Sequence, residues 1–144
     1  MADYYDFLGN KVNIGDLIVY PDSDGMPHTS HIEKLTDTRY YFSYTFYGRQ
    51  CSEERLGYRS PSQIISLSAL KVKKEDVAIY WKSSKDNKDM TGRTVTEGAK
   101  VAGQVEKKFC LGEVLKINKQ TCRVKYSESG KEKNEYTTHL LILQ

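Results

Sequence analysis

Apolar and polar residues alternate with a period of two along most of this chain, in short runs broken by Gly, Pro, Asn, Asp and Ser. That pattern predicts short β-strands joined by turns. In "CRVKYSESGKEKNEY" Cys122, Val124 and Tyr126 fall on one face, Arg123 and Lys125 on the other, and Ser127 to Gly130 supply a turn. The same reading places strands at Asp16–Tyr20, Ile32–Leu35, Arg39–Thr45 and Ile64–Leu67, with a further strand returning after "YGRQCSEERLGYR". In the second half it places them at Ala99–Ala102, Glu113–Ile117, Thr121–Tyr126 and Leu140–Leu143, with a return after "SESGKEKNEY".

The two series are copies of each other. "SHIEKLTDTRYYFSY" from Ser30 aligns without a gap on "GEVLKINKQTCRVKY" from Gly112: Ile32 meets Val114, Leu35 meets Ile117, Phe42 meets Val124 and Tyr44 meets Tyr126. Upstream, "VNIGDLIVY" from Val12 parallels "VTEGAKVAG" from Val95. Downstream, "SPSQIISL" from Ser60 parallels "YTTHLLIL" from Tyr136. Three blocks in one order indicate an internal duplication.

From Val95 to Leu143 the pattern "V..G..V......G.V..I.....V.Y..SG..E......L..L" resembles an SH3-like barrel of the Tudor and KOW type, and the first half resembles a looser copy. The resemblance implies a mainly β fold of two small SH3-like (Tudor/KOW-like) barrels packed together: residues 1–67, then a connecting segment 68–93, then residues 94–144. The opening "DFLGNKVNIGDLIVYP" is similar to that of small proteins of T4-type phages, DNA-binding early proteins of the MotB type among them. Within the connecting segment, the apolar "VAIYW" from Val77 is expected to add a strand or plug a joint. "KSSKDNKDMTG" has no apolar period and is expected to be an exposed, mobile loop.

Composition sets limits. At 144 residues, 38% hydrophobic and 28% charged, the chain is expected to fold and to be soluble and cytoplasmic, in a host cytoplasm if phage-encoded. No apolar run approaches the roughly 18 residues that span a bilayer, so no membrane partner is expected. Cys51, Cys110 and Cys122 form no CxxC pair and read as free thiols. The net charge of +3 hides an asymmetry, since residues 1–67 hold 6 Lys and Arg against 9 Asp and Glu, while residues 68–144 hold 16 against 10.

No phosphate-binding Gly-rich loop, HExxH or GxSxG occurs, and no enzyme or cofactor is expected. "HTSH" at His28 and His31 lacks a third ligand nearby in sequence. "DSDG" at Asp22 has Met26 and Pro27 where a calcium loop needs an oxygen ligand and Gly, so no metal is expected. Cys51 acts as a nucleophile only if the fold brings a base to it.

Binding chemistry has better candidates. A basic face neutralises phosphates, and the second half offers Lys107, Lys108, Lys116, Lys119, Arg123, Lys125, Lys131 and Lys133. Arg123 and Lys125 point outward if Cys122, Val124 and Tyr126 point inward, and Lys131 and Lys133 are expected to extend the same patch. This predicts non-enzymatic binding of nucleic acid, double-stranded DNA rather than RNA, without sequence preference. Alternatively, Glu128, Glu132 and Glu135 pair with those lysines and leave only a solvated edge. The resemblance to Tudor barrels also implies an aromatic cage for a methylated cation, for which Tyr20, Tyr41, Phe46 and Tyr47 are the candidates. A protein-interaction module, meeting a host protein through the aromatic first half, is the alternative function.

Overall fold

The structure, a computed structural model, describes residues 3–47, 52–79, 87–119 and 121–143, with the side chains at 45–47 and 52–55 left aside. Among the described residues ten strands carry the fold. In the first series they are β1 (Leu17–Pro21), β2 (Pro27–Leu35), β3 (Tyr40–Tyr47), β4 (Ser52–Arg59) and β5 (Ile65–Ser66). In the second they are β6 (Lys100–Val105), β7 (Lys108–Ile117), β8 (Thr121–Tyr126), β9 (Glu132–Tyr136) and β10 (Leu141–Ile142). Each series forms one five-stranded antiparallel sheet, in the order β4-β3-β2-β1-β5 and β10-β6-β7-β8-β9. The two orders are the same topology, and the protein is mainly β. Both sheets are open among the described residues, where closed barrels were expected. β5 and β10 follow 3₁₀ turns at Pro61–Gln63 and Thr137–His139 and are only two residues long, which leaves too little edge to close a barrel.

The duplication extends to individual hydrogen bonds. The Gly15 and Gly98 N–H groups donate to the Ile32 and Val114 carbonyls at 2.8 and 2.7 Å, and those of Phe7 and Met90 donate to the Ile64 and Leu140 carbonyls at 2.8 and 3.0 Å. Both sheets carry a bulge at the same place, between Ile32 and Lys34 and between Val114 and Lys116.

Each copy opens on a buried aspartate. Asp6 Oδ1 accepts the N–H groups of Leu8 and Asn10, and Oδ2 accepts that of Ser66 on β5. Asp89 repeats the arrangement with Thr91, Arg93 and Ile142, the last on β10. Both are local turns, in which Gly9 and Gly92 take φ of +83° and +85°, a conformation that glycine adopts without steric cost. One carboxylate thereby ties the start of each copy to its last strand. The described end of "KSSKDNKDMTG" is consequently not an exposed loop, because Asp89 and Met90 are fully buried. Among the described residues 77–79 there is no strand, and Ala78 is held by donation to the Met90 carbonyl. Tyr80 and Trp81 lie outside the described residues.

The cores correspond position by position. Val12, Ile18, Ile32, Phe42 and Ile64 in one copy match Val95, Val101, Val114, Val124 and Leu140 in the other. Their bulk is distributed differently. Tyr20 stacks on Phe42 with centroids 4.2 Å apart. At its counterpart Gly103 the space is taken by other side chains, since a Cβ there would collide with the Tyr126 hydroxyl oxygen and lie 2.9 Å from Leu140 Cδ2.

By contacts the chain divides into two compact units, Met1–Tyr20 with His28–Lys73 and Pro21–Pro27 with Lys74–Gln144. Among the described residues no helix is long and apolar enough to cross a membrane.

Candidate nucleic-acid interface

The hairpin β8–β9 places the cations first considered. Cys122, Val124 and Tyr126 are fully buried, as alternation requires, and the turn after Tyr126 closes through the Gly130 N–H on the Tyr126 carbonyl and the Tyr126 N–H on the Lys131 carbonyl. The length of this turn sets the register: Cys122 faces Glu135, Arg123 faces Asn134, Val124 faces Lys133 and Lys125 faces Glu132. Directly opposed residues share a face of a sheet. Lys133 and Lys131 therefore lie on the Val124 face, at the sheet edge, and do not extend the Arg123–Lys125 face.

The eight cations fall into three groups. Lys116 and Arg123 are cross-strand partners, with Lys119 in the adjoining turn and Lys125 further along the same outer face. Lys107 and Lys108 stand at the β6–β7 turn, where Lys108 pairs with Glu128 at 3.5 Å. Lys131 and Lys133 occupy the edge, and Lys133 pairs with Glu135 at 3.5 Å and helps line a cavity of about 200 Å³ with Glu135, Tyr136 and His139.

Carboxylates partly neutralise the outer face. One row across the sheet reads Lys100, Glu113, Lys125, Glu132, alternating in sign, and Lys100 is ion-paired with Glu113. The Lys100 ammonium holds the Glu113 carboxyl below its ordinary range. The next row reads Lys116, Arg123, Asn134 and contains no carboxylate. Arg123 donates to Glu132 at 3.3 Å and to Asn134 at 3.4 Å. Of the three glutamates in the alternative reading, Glu132 therefore pairs with Arg123, Glu128 with Lys108 and Glu135 with Lys133.

Glu135 belongs to the core more than to the surface. It is 8% exposed, and burial raises its carboxyl above the ordinary value, an effect partly offset by Lys133. Burial, and then the Glu135 charge, pushes the Cys122 thiol up to about 12 and raises the Tyr126 hydroxyl. Cys122 and Cys110 are buried thiols with raised values, and Cys51 lies outside the described residues.

Of the four aromatics proposed for a cage, the two whose side chains are described, Tyr20 and Tyr41, do not converge. Tyr20 is 4% exposed and lies in the core, whereas Tyr41, between buried Tyr40 and Phe42 on β3, points to the opposite face. The side chains of Phe46 and Tyr47 lie outside the described residues. His28 stacks near Tyr20 at 6.1 Å, and His31, three residues along the strand, points to the other face.

A different aromatic group emerges instead. Lys34, Tyr41 and Tyr58 form one row across β2, β3 and β4. The Lys34 ammonium lies 5.4 Å from the Tyr41 centroid, and the Arg39 guanidinium lies 4.4 Å from that of Tyr58. The two rings are 5.7 Å apart and inclined at 52°. Tyr58 is 47% exposed and Leu56, on the same face of β4, 53%. Sequence reading missed this group because Tyr41 and Tyr58 meet only through the β3–β4 register.

The charge asymmetry of the halves also changes with the observed boundaries. The first unit carries 8 Lys and Arg against 7 Asp and Glu, and the second 14 against 12, because Asp22 and Asp24 group with the second while Lys71 and Lys73 group with the first. Local arrangement, not net charge, distinguishes the surfaces.

Together these features define an all-β protein of two similar sheets. Residues 87–140 match the family model described as "Domain of unknown function (DUF7205)". The match begins two residues before Asp89 and ends just before β10. A comparison with curated proteins returns no match. Among solved structures the chain is similar to the AGD34 part of Arabidopsis thaliana AGDP1, at 10% identity and a TM-score of 0.43, covering 90% of this chain and 81% of that one.

Proposed function

We propose that the protein is a non-enzymatic module that binds nucleic acid through the phosphate backbone, double-stranded DNA included. The observation that carries this reading is the row of Lys116 and Arg123 on the outer face of the second sheet, with Lys119 in the adjoining β7–β8 turn, Lys125 further along the same face and no carboxylate in the row itself. Cations held on a sheet face meet phosphates without reading bases, so the binding is insensitive to sequence and strongly dependent on salt.

Gel shifts with a duplex of arbitrary sequence test it. Retention at low salt and release as salt rises are expected. Lys116→Ala, Lys119→Ala and Arg123→Ala should each weaken binding and reduce the salt slope by about one phosphate's worth. Lys131→Ala, on the other face, should leave binding nearly unchanged. No retention of any nucleic acid at low salt would end the proposal.

A further inference from the structure

We infer that the outer face of the first sheet, built from Tyr41, Tyr58, Lys34 and Arg39, is a stacking platform for single-stranded nucleic acid. This surface is separate from the phosphate-binding row above and takes a different form of the ligand.

The chemistry follows from the placement. Lys34, Tyr41 and Tyr58 stand side by side on three adjacent strands, and Arg39 reaches the same face from the β2–β3 turn. Tyrosine rings offer π faces to bases, while lysine and arginine offer charge to the backbone that links them. That combination binds single strands with little sequence preference. Both cations lie over the rings, so an incoming base displaces the cation from the ring face or stacks on the cation's outer side, and the charge stays within reach of its phosphate. Arg39 also presents the free side of its planar guanidinium for stacking.

The geometry selects unpaired over paired strands. Successive bases of a duplex strand lie parallel and about 3.4 Å apart. The two rings are 5.7 Å apart and inclined at 52°, so bases resting on both must be splayed. Only an unpaired strand permits that. Leu56 adds exposed apolar area in the next row, opposite Ser43. Two described carboxylates are nearby: Asp37 in the β2–β3 turn, and Glu33 in the β2 bulge, which accepts a hydrogen bond from Ser43 Oγ at 2.7 Å. Glu33 sets the expected sign of a further substitution, because removing its charge favours a polyanion.

The test uses the full chain, a fluorescein-labelled fifteen-nucleotide oligothymidylate and a duplex of the same length, read by anisotropy. Tyr58→Leu keeps apolar bulk but removes the ring, and should weaken single-strand binding by about tenfold, the typical loss when a stacking aromatic is replaced. Tyr41→Leu should behave alike, Tyr58→Phe should bind as the parent does, and Glu33→Gln should bind more tightly. Duplex affinity should be little changed in all four. A 5-bromodeoxyuridine strand irradiated in the complex should crosslink to peptides containing Tyr41 or Tyr58. If both leucine variants bind single strands as the parent does, or if crosslinks map only to the second unit, the platform is refuted while phosphate binding by Lys116 and Arg123 stands. If the leucine variants lose single and double strands equally, the selectivity argued from the ring geometry is wrong.

Discussion

Removing the Asp89 carboxylate is the sharpest test of how the second copy is held together. Asp89 is fully buried, and its Oδ1 accepts the Thr91 and Arg93 N–H groups and the Thr91 hydroxyl at 2.8 to 2.9 Å. Its Oδ2 accepts the Ile142 N–H at 2.9 Å. In Asp89→Ala, water can replace the acceptor for Thr91 and Arg93, which lie near the surface, so only the net worth of those bonds is lost. Ile142 is 8% exposed and its N–H is orphaned, which costs about 1–3 kcal/mol. With the loss at the turn, the variant should be less stable by about 4 kcal/mol. Urea unfolding of the full chain, followed by far-UV circular dichroism, should show a midpoint lower by about 2 M at a typical m-value. Asp89→Asn should not rescue it, because whichever way the amide lies, an NH₂ group replaces an oxygen that accepts a backbone N–H. Asp6→Ala should produce a similar loss through Ser66. A loss below about 1 kcal/mol in Asp89→Ala would show that the aspartate is not an anchor.

Other expectations follow from the second core. A carboxyl whose value is raised on folding binds more protons in the native state than in the unfolded one. Stability therefore falls as pH rises from the ordinary carboxylate value through the raised Glu135 value, and stays lower above it. Glu135→Gln should raise Tm at pH 7 and lose that advantage near pH 4, and an equal effect at both pH values would contradict the buried-carboxyl reading. Gly103→Ala should destabilise by about 1–3 kcal/mol through collision with Tyr126 and Leu140. Tyr126→Phe in the same chain should recover part of the loss in urea unfolding, since it removes the nearest atom.

Much of the fold was legible because its signal is local. Strand β8 falls where alternation places it, and Phe42, Val124 and Tyr126 point inward as read. The aspartate anchors were equally visible, since Asp-x-x-Gly-x-x-Val-x-x-Gly occurs at Asp6 and again at Asp89. They were missed because a polar turn between charged residues looks like a linker when its carboxylate's buried partner, Ile142, lies far along the chain. The surfaces were less legible for a different reason. Which face Lys133 shares depends on whether the turn after Tyr126 contains an odd or even number of residues, and Tyr41 meets Tyr58 only once β4 has taken its register. Composition carries neither kind of information.

The unequal filling of the two cores bears on how such a chain avoids tangling with itself. Two sheets of one topology in a single polypeptide invite strand exchange during folding, since a strand from either copy offers a similar backbone to both. Were β6 to dock where β1 belongs, Gly103 would leave Phe42 facing a void the size of a tyrosine ring. In the reverse exchange, Tyr20 would be driven into Tyr126. Either error costs several times the thermal energy, on the order of 3–5 kcal/mol for a lost aromatic. The glycine at Gly103 thus works as an address label, directing each first strand to its own sheet.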